Sequence, residues 1–356
     1  MFETRIFDTI SGAHLLTVEP SDASWAAKLD GSGQGSITVP LRGQGIPRAT
    51  ARDLFRANAR CVAHVDESGT VIAAGLLLRP DYSRDDGSVT IGWVDIRHLI
   101  DQRLGFGVGS YGPGGDLTVT SKSRSGAARA LLSRALHDGT EPQWELPIDL
   151  PSDSSGSFTR TWRHYEFATM NDGLEEIEAE GVEVYFDPYL SSGSLRWATR
   201  VAAPIALGGF DLPVTSEASS VVGLHVKSDG SKQLTGVIYS GNGAGSKKIT
   251  AWAGHGPYTI PIRDAHRTAD TVKTVAQLQR IADADLAEHF YPVEQWSFGV
   301  RLDETVKAAA VKPGRLLRMD VRGDEWIPDG MYTQRVVGVS GDLTQTVTPE
   351  VQAYGG

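Results

Sequence analysis

The chain has 356 residues, enough for two or three domains at roughly 150 residues each. Its 40% hydrophobic and 22% charged content is that of a globular protein and argues against wholesale disorder. The 34 basic against 44 acidic residues, net −10, give a surface that repels phosphate backbones, so a sequence-reading nucleic-acid binder is not expected. Forty glycines are about 11% of the chain, against a usual level of about 7%. Without a G-X-Y period they do not indicate collagen, and they fit a turn-rich β protein. A lone cysteine, Cys61, forms no internal disulfide and reads as a buried small hydrophobe. The N-terminal MFETRIFDTI carries Glu3, Arg5 and Asp8 where a secretory signal needs an apolar run. No stretch approaches the roughly 18 apolar residues of a membrane span. The expectation is a soluble protein with no membrane anchor, made in a cytoplasm.

In chain order, strands are predicted at Thr4–Ile10, His14–Glu19, Ser36–Leu41, Arg60–Asp66, Val71–Leu78 and Ser88–Ile96, separated by polar, glycine-containing turns. In the last of these, Val89, Ile91 and Trp93 share one face. Short helices are predicted around Ala49–Ala57 and Ile96–Arg103. The glycine cluster at 105–115 marks a boundary. Beyond it, Ala128, Leu131, Leu132, Ala135 and Leu136 have helical spacing, with Gly139 as the C-cap and a loop over 139–158. A second helix runs near Asn171–Glu180, with Met170, Leu174 and Ile177 on one face, Thr169 or Asn171 as cap, and Gly181 ending it. Next comes a hairpin: Val182, Val184 and Phe186 alternate, then SSG, then Leu195, Trp197, Thr199 and Val201. Residues 203–265 read as β, with a glycine-rich turn at 240–246. A longer helix spans about Ala269–His289 and is stopped by Pro292. Strands close the chain at Trp296–Leu302, Leu316–Val321, Met331–Val339 and Leu343–Val351.

Tests for chemistry point away from catalysis. Gly107, Gly109 and Gly112 satisfy G-x-G-x-x-G, but loop and then strand follow where a nucleotide fingerprint needs a helix. GNGAGSKK at 241–248 lacks the G-K-[ST] ending of a phosphate loop and reads as a hairpin turn. Cys61 and His64 lack a second ligand pair and would point to opposite faces of a strand. His255, in GHG, reads as a solvated loop histidine. Glu175, Glu176, Glu178 and Glu180 read as the solvated face of their helix. The eight tryptophans are spread along the chain and read mostly as core. No catalytic, cofactor-binding or metal-ligating residue is assigned, and no cofactor is expected.

Four segments carry a family resemblance: a strand pair leading to a short helix that ends in Arg (71–104), a short helix feeding a hairpin with FDPY and LRW (173–201), a helix feeding a strand (278–303), and the ending KPGRLLRMDV…IPDGMYTQRVVGVSGDLTQTV (312–347). In these the chain resembles the tail hub, or minor tail, proteins of siphophages, a baseplate-hub-like family of the tail tip. The resemblance implies a mainly β fold: two small β-barrel domains of tail-hub type and an α+β insertion. It places one barrel at 1–105, the insertion at 106–201 and 221–290, and a discontinuous second barrel at 202–220 and 291–356. It implies a structural, non-enzymatic virion component assembled in the bacterial host. That component would be a homotrimer joining the hexameric tail tube to a trimeric tip and gating DNA. Its implied partners are a distal tail protein or tail tube ring, the tape measure protein, and other minor tail or tip fibre proteins. DNA would pass through the lumen without sequence-specific binding. Two other readings stay open: a peripheral tail-tip receptor-binding protein and a cell-wall carbohydrate hydrolase.

Overall fold

In a computed structural model, residues 2–105, 115–137, 139, 141–254, 256 and 260–354 are described. Of the expected boundary cluster at 105–115, residues 106–114, with Gly107, Gly109 and Gly112, lie outside the described residues, as does His255. The chain forms two compact units, Met1–Gly223 with Phe298–Gly356, and Leu224–Ser297.

The first unit opens with β1 (Glu3–Asp8), β2 (His14–Val18), β3 (Asp22–Lys28) and β4 (Gln34–Pro40). The short helix α1 (Arg48–Leu54), strands β5 (Arg60–Val65), β6 (Val71–Ser83) and β7 (Ser88–Val94), and the short helix α2 (Arg97–Asp101) follow. Then come β8 (Leu117–Lys122), α3 (Arg124–His137), β9 (Ile148–Asp149), β10 (Phe158–Trp162), α4 (Met170–Glu178), β11 (Glu183–Ser191), β12 (Ser194–Ala202) and β13 (Gly209–Pro213). Strand β14 (Val221–Asp229) leads into the second unit, which holds β15 (Gly236–Ser240), β16 (Thr250–Gly254), β17 (Asp264–Thr268) and α5 (Val275–His289). Strand β18 (Val293–Arg301) leads back, and β19 (Leu316–Val321), β20 (Gly330–Gly341) and β21 (Thr346–Ala353) complete the fold.

The fold is mainly β. Strands from both ends of the sequence share one sheet of thirteen, in the order β14-β18-β21-β20-β3-β4-β7-β6-β5-β1-β2, with β19 on β20 and β13 on β19. This hydrogen-bonded order is a path with two ends. The two halves of the sequence join where β3 pairs antiparallel with β20, Lys28 opposite Gly338 and Trp25 opposite Gly341. Strand β3 is absent from the sequence-based expectations because DASWAAK holds mostly residues of low strand propensity. Pairing along both edges and burial of Ala23, Trp25 and Ala27 override that local preference. The predicted Val89, Ile91 and Trp93 face of β7 is buried, and Ile91 sits opposite Ile37 of β4.

Trp93 also explains two glycines that are not turns. A Cβ on Gly35 would lie 2.7 Å from the Trp93 ring, and one on Gly75 2.4 Å from it, so both strands must be bare there for the indole to lie flat.

Helix α3 buries Ala128, Leu131, Leu132, Ala135 and Leu136 in the predicted pattern, and Ala127 beside them. Gly139, expected as its C-cap, lies against the Trp144 ring, where a Cβ would come within 2.2 Å. The loop expected over 139–158 contains the short strand β9, which pairs parallel with β12, Ile148 opposite Trp197. Thr169 is the cap of α4. Its hydroxyl accepts from the Asp172 N–H at 3.1 Å, and the Asp172 carboxylate accepts from the Thr169 N–H at 2.7 Å, a reciprocal capping box. Gly181, with φ +87°, follows. The hairpin β11–β12 turns through Ser192 (φ 51°) and Gly193 (φ 82°), the pair of left-handed residues that a type I′ turn requires. In the second unit, α5 starts later than expected, at Val275 after the Thr274 cap. Its Leu278, Ala282 and Leu286 pack on Val237, Tyr239, Ala251 and Ala253 of the three-stranded sheet β16-β15-β17.

Candidate functional site

A polar cleft of about 900 Å³ in the first unit brings together four separate stretches of sequence, around residues 28–34, 94–101, 171–183 and 335–352. Its chemistry starts where β7 runs into α2. Asp95 is buried, and its carboxylate accepts from the Arg97 N–H at 2.8 Å, serving a donor that the first turn of a helix leaves unpaired. Burial dominates at Asp95 and pushes its carboxyl up to about 7, against the opposing pull of the Arg97 backbone N–H and guanidinium.

Arg97 itself is buried, its side chain running over Gly31. The guanidinium donates to both Glu178 oxygens, at 2.9 and 2.6 Å, and to the Asn171 side-chain oxygen at 2.6 Å. Burial would lower this guanidinium, but the Glu178 pair overrides it and holds the group above its ordinary value. Glu178 also accepts from the Val184 N–H at 3.1 Å, so one ion pair ties α2, α4 and β11 together.

The opposite wall is built in the same way. Arg335 of β20 is buried and donates to Glu183 at 2.8 and 2.6 Å and to Gln352 at 3.0 Å, while Glu183 accepts from the Ile205 N–H at 2.9 Å. Lys28 and Glu350 face each other at 3.0 Å. Outside the cleft, buried Lys312 reaches Asp187 at 2.5 Å and the Pro188 carbonyl at 2.9 Å. Burial lowers its ammonium despite the Asp187 charge. Arg103 donates to the carbonyls of Ala135 and Trp144, so it serves an unpaired acceptor in the last turn of α3.

The arrangement fastens elements together, with arginine forks on carboxylates that have further backbone bonds. Among the described residues no group of three or more His, Cys, Asp or Glu is placed to hold a metal ion.

The residues singled out in the sequence do not converge on this cleft, apart from the α4 glutamates. Glu178 holds Arg97, and Glu176 holds Arg160 at 2.9 Å and the Trp162 indole at 3.1 Å, so these two are paired where a freely solvated face was expected. Cys61 is buried among the residues of the main core, and burial pushes its thiol up to about 12. His64 faces the other side of β5, stacked at 5.9 Å on Trp25 and tilted at 6.1 Å from Trp93, and burial lowers it to about 4. Trp25, Trp93, Trp162, Trp197 and Trp296 are buried, whereas Trp252 and Trp326 are exposed. GNGAGSKK connects the antiparallel strands β15 and β16, as a hairpin turn should. Arg97, Arg335 and Glu183 were missed. Arg97 and Glu183 open their elements and Arg335 lies in mid-strand, so no local position marks all three, and their pairing depends on distant segments.

No family model matches the chain, and no curated protein matches it. Solved structures do. Over 100% of its length the chain superposes on 97% of the tail protein from Neisseria meningitidis, with TM-score 0.55 and 12% identity. It covers 98% of the 43 kDa tail protein of prophage MuSo2 from Shewanella oneidensis, with TM-score 0.59 and 10% identity. The chain has the fold of phage tail proteins. The same fold relates it to a chain of the Francisella PdpA–VgrG complex, of which it covers 58% at TM-score 0.55 and 10% identity. The polar cleft therefore lies in a tail-protein fold, where it joins segments that are far apart in sequence.

Proposed function

We propose that the chain is a structural, non-enzymatic component of a phage virion: a homotrimeric tail hub at the distal end of a long tail. The observation that carries this reading is the extent of the fold match, which takes in nearly the whole of this chain and of two tail proteins. In this role the strands of 1–105 and those of 202–220 and 291–356 form the two hub domains. Residues 106–201 and 221–290 form the insertion. The trimer adapts the hexameric tail tube, or a distal tail ring, to the tip and gates DNA passage, and the tape measure protein and other tip or fibre proteins complete its neighbourhood. Closed rotational symmetry is the usual form of such assemblies. The net charge of −10 suits a channel wall that should not hold DNA.

Cryo-electron microscopy of the tail tip tests the reading. Three copies on the axis at the end of the tube are expected. Copies at the periphery would make it a receptor-binding protein, and a protein absent from virions and monomeric at every concentration would refute the hub. A basic lumen would overturn the reading of the charge.

A further inference from the structure

An acidic protein here concentrates arginine in one short stretch. Residues 42–56 hold Arg42, Arg48, Arg52 and Arg56 against a single acid, Asp53. Asp53 is taken, since it pairs with Arg60 at 2.6 Å and with Arg56 at 3.2 Å. Arg42, Arg48 and Arg52 are exposed and make no hydrogen bond or ion pair among the described residues. Arg48 and Arg52 are one helical turn apart on α1, which buries none of its own residues. A helix with no buried face contributes little to its own folding, because most helical stability in proteins comes from packing an apolar side.

The arginines border a cleft of about 1120 Å³. Its lining includes Leu41, Ile46, Phe55 and Val89, with Tyr82 of β6 beside them. Phe55 and Val89 are buried, whereas Tyr82 is 59% exposed. The cleft thus has an apolar floor, a half-open aromatic and a rim of free guanidinium groups. This combination suits one class of occupant better than others. A guanidinium pairs in bidentate fashion with a carboxylate, and an apolar floor rewards a leucine or aromatic anchor. Nucleic acid, whose binding rests mainly on its phosphates, has no use for the apolar floor, so the floor is what favours a protein segment.

We propose that this cleft docks an acidic segment of another protein, carried by a leucine or aromatic anchor, with Arg42, Arg48 and Arg52 taking its carboxylates. The inference rests on these residues alone and holds whether or not the chain is a trimeric hub. The test uses the purified full chain and fluorescent peptides of about a dozen residues, in a panel that places three or four glutamates around one leucine, phenylalanine or tryptophan. Controls are the same peptides with glutamine for glutamate, equally acidic peptides spaced with glycine and serine, and a thymidine oligonucleotide.

At least one anchored acidic peptide is expected to bind more tightly than every control. The double variant R48E/R52E should weaken that binding about tenfold or more, since charge-assisted bonds to two arginines are lost. Tyr82→Ser should weaken it through the floor, and both variants should keep the far-ultraviolet spectrum of the parent. The proposal fails if no peptide distinguishes the parent from R48E/R52E, if acidic peptides without an anchor bind equally well, or if the oligonucleotide is preferred, which would make the cleft a nucleic-acid site.

Discussion

The polar cleft and the α1 cleft use the same side chain for opposite ends. Arg97 and Arg335 are buried, and each is held in two bonds by a carboxylate that also accepts from a backbone N–H. Arg48 and Arg52 are exposed on a helix with no buried residue and have no acidic partner among the described residues. Charge is therefore no guide to role by itself. What separates the two regions is desolvation. A buried guanidinium must be matched within its own chain, and matching it fixes geometry, whereas a solvated one costs nothing to leave open.

The largest expected effect comes from breaking a matched pair. Arg97→Met removes the fork and leaves Glu178 and Asn171 facing a thioether. A loss of about 3–5 kcal/mol in unfolding free energy is expected, because the partner charge is stranded in a poorly solvated place. Urea denaturation measures it. A loss under about 1 kcal/mol would mean that the pair behaves like a surface salt bridge and that the contrast drawn here is false.

Asp95 sharpens the same contrast through pH. Its carboxyl sits at about 7 in the folded chain against 3.8 when exposed. The native state therefore keeps a proton that the unfolded state releases. Wild-type stability should fall as pH rises from about 4 to about 7 and level off above, by at most about 4 kcal/mol. Asp95→Asn keeps an acceptor for the Arg97 N–H and cannot ionise, so its advantage over wild type should open across that window. Denaturation midpoints at acid, intermediate and alkaline pH check this, and a constant gap would exclude it.

His64 gives the opposite slope. Burial between Trp25 and Trp93 holds it near 4 against 6.5 when free. The unfolded state takes up a proton that the native state refuses. Stability should then fall as pH drops from about 6.5 to about 4, by at most about 3 kcal/mol. In wild type the Asp95 and His64 slopes oppose each other over much of this range. His64→Gln should remove the acid loss and expose the Asp95 slope, which the wild-type profile alone would hide.

Where the sequence was readable, the signal was local. The α3 leucines, the Thr169 cap and the Ser192–Gly193 turn are each set by neighbours within a few residues, and each appears where its pattern placed it. What was not readable depends on segments far apart. Strand β3 exists because β4 and β20 flank it, and its own residues argue against it. The glycine excess was only half legible. Gly181 and Gly193 adopt the left-handed backbone that turns need, but Gly35 and Gly75 sit inside strands to admit an indole from another strand, which spacing alone does not show. The polar cleft was invisible for the same reason, because Arg335 and Glu183 are 152 residues apart.

The smallest expected effect is the one that separates the two kinds of arginine most cleanly. Arg48→Ala and Arg52→Ala should each change unfolding free energy by no more than about 0.5 kcal/mol, the usual range for surface positions with no partner to lose. Alanine is also the better helix former, so a slight gain is allowed. A loss of more than about 1 kcal/mol would mean that these side chains already hold α1 against the protein. They would then belong with Arg97 and Arg335 as internal fasteners, and the α1 cleft would not be an open docking surface. If the alanine variants are neutral while R48E/R52E weakens peptide binding, the contrast holds, with buried arginines fixing the fold and the exposed cluster free for a partner.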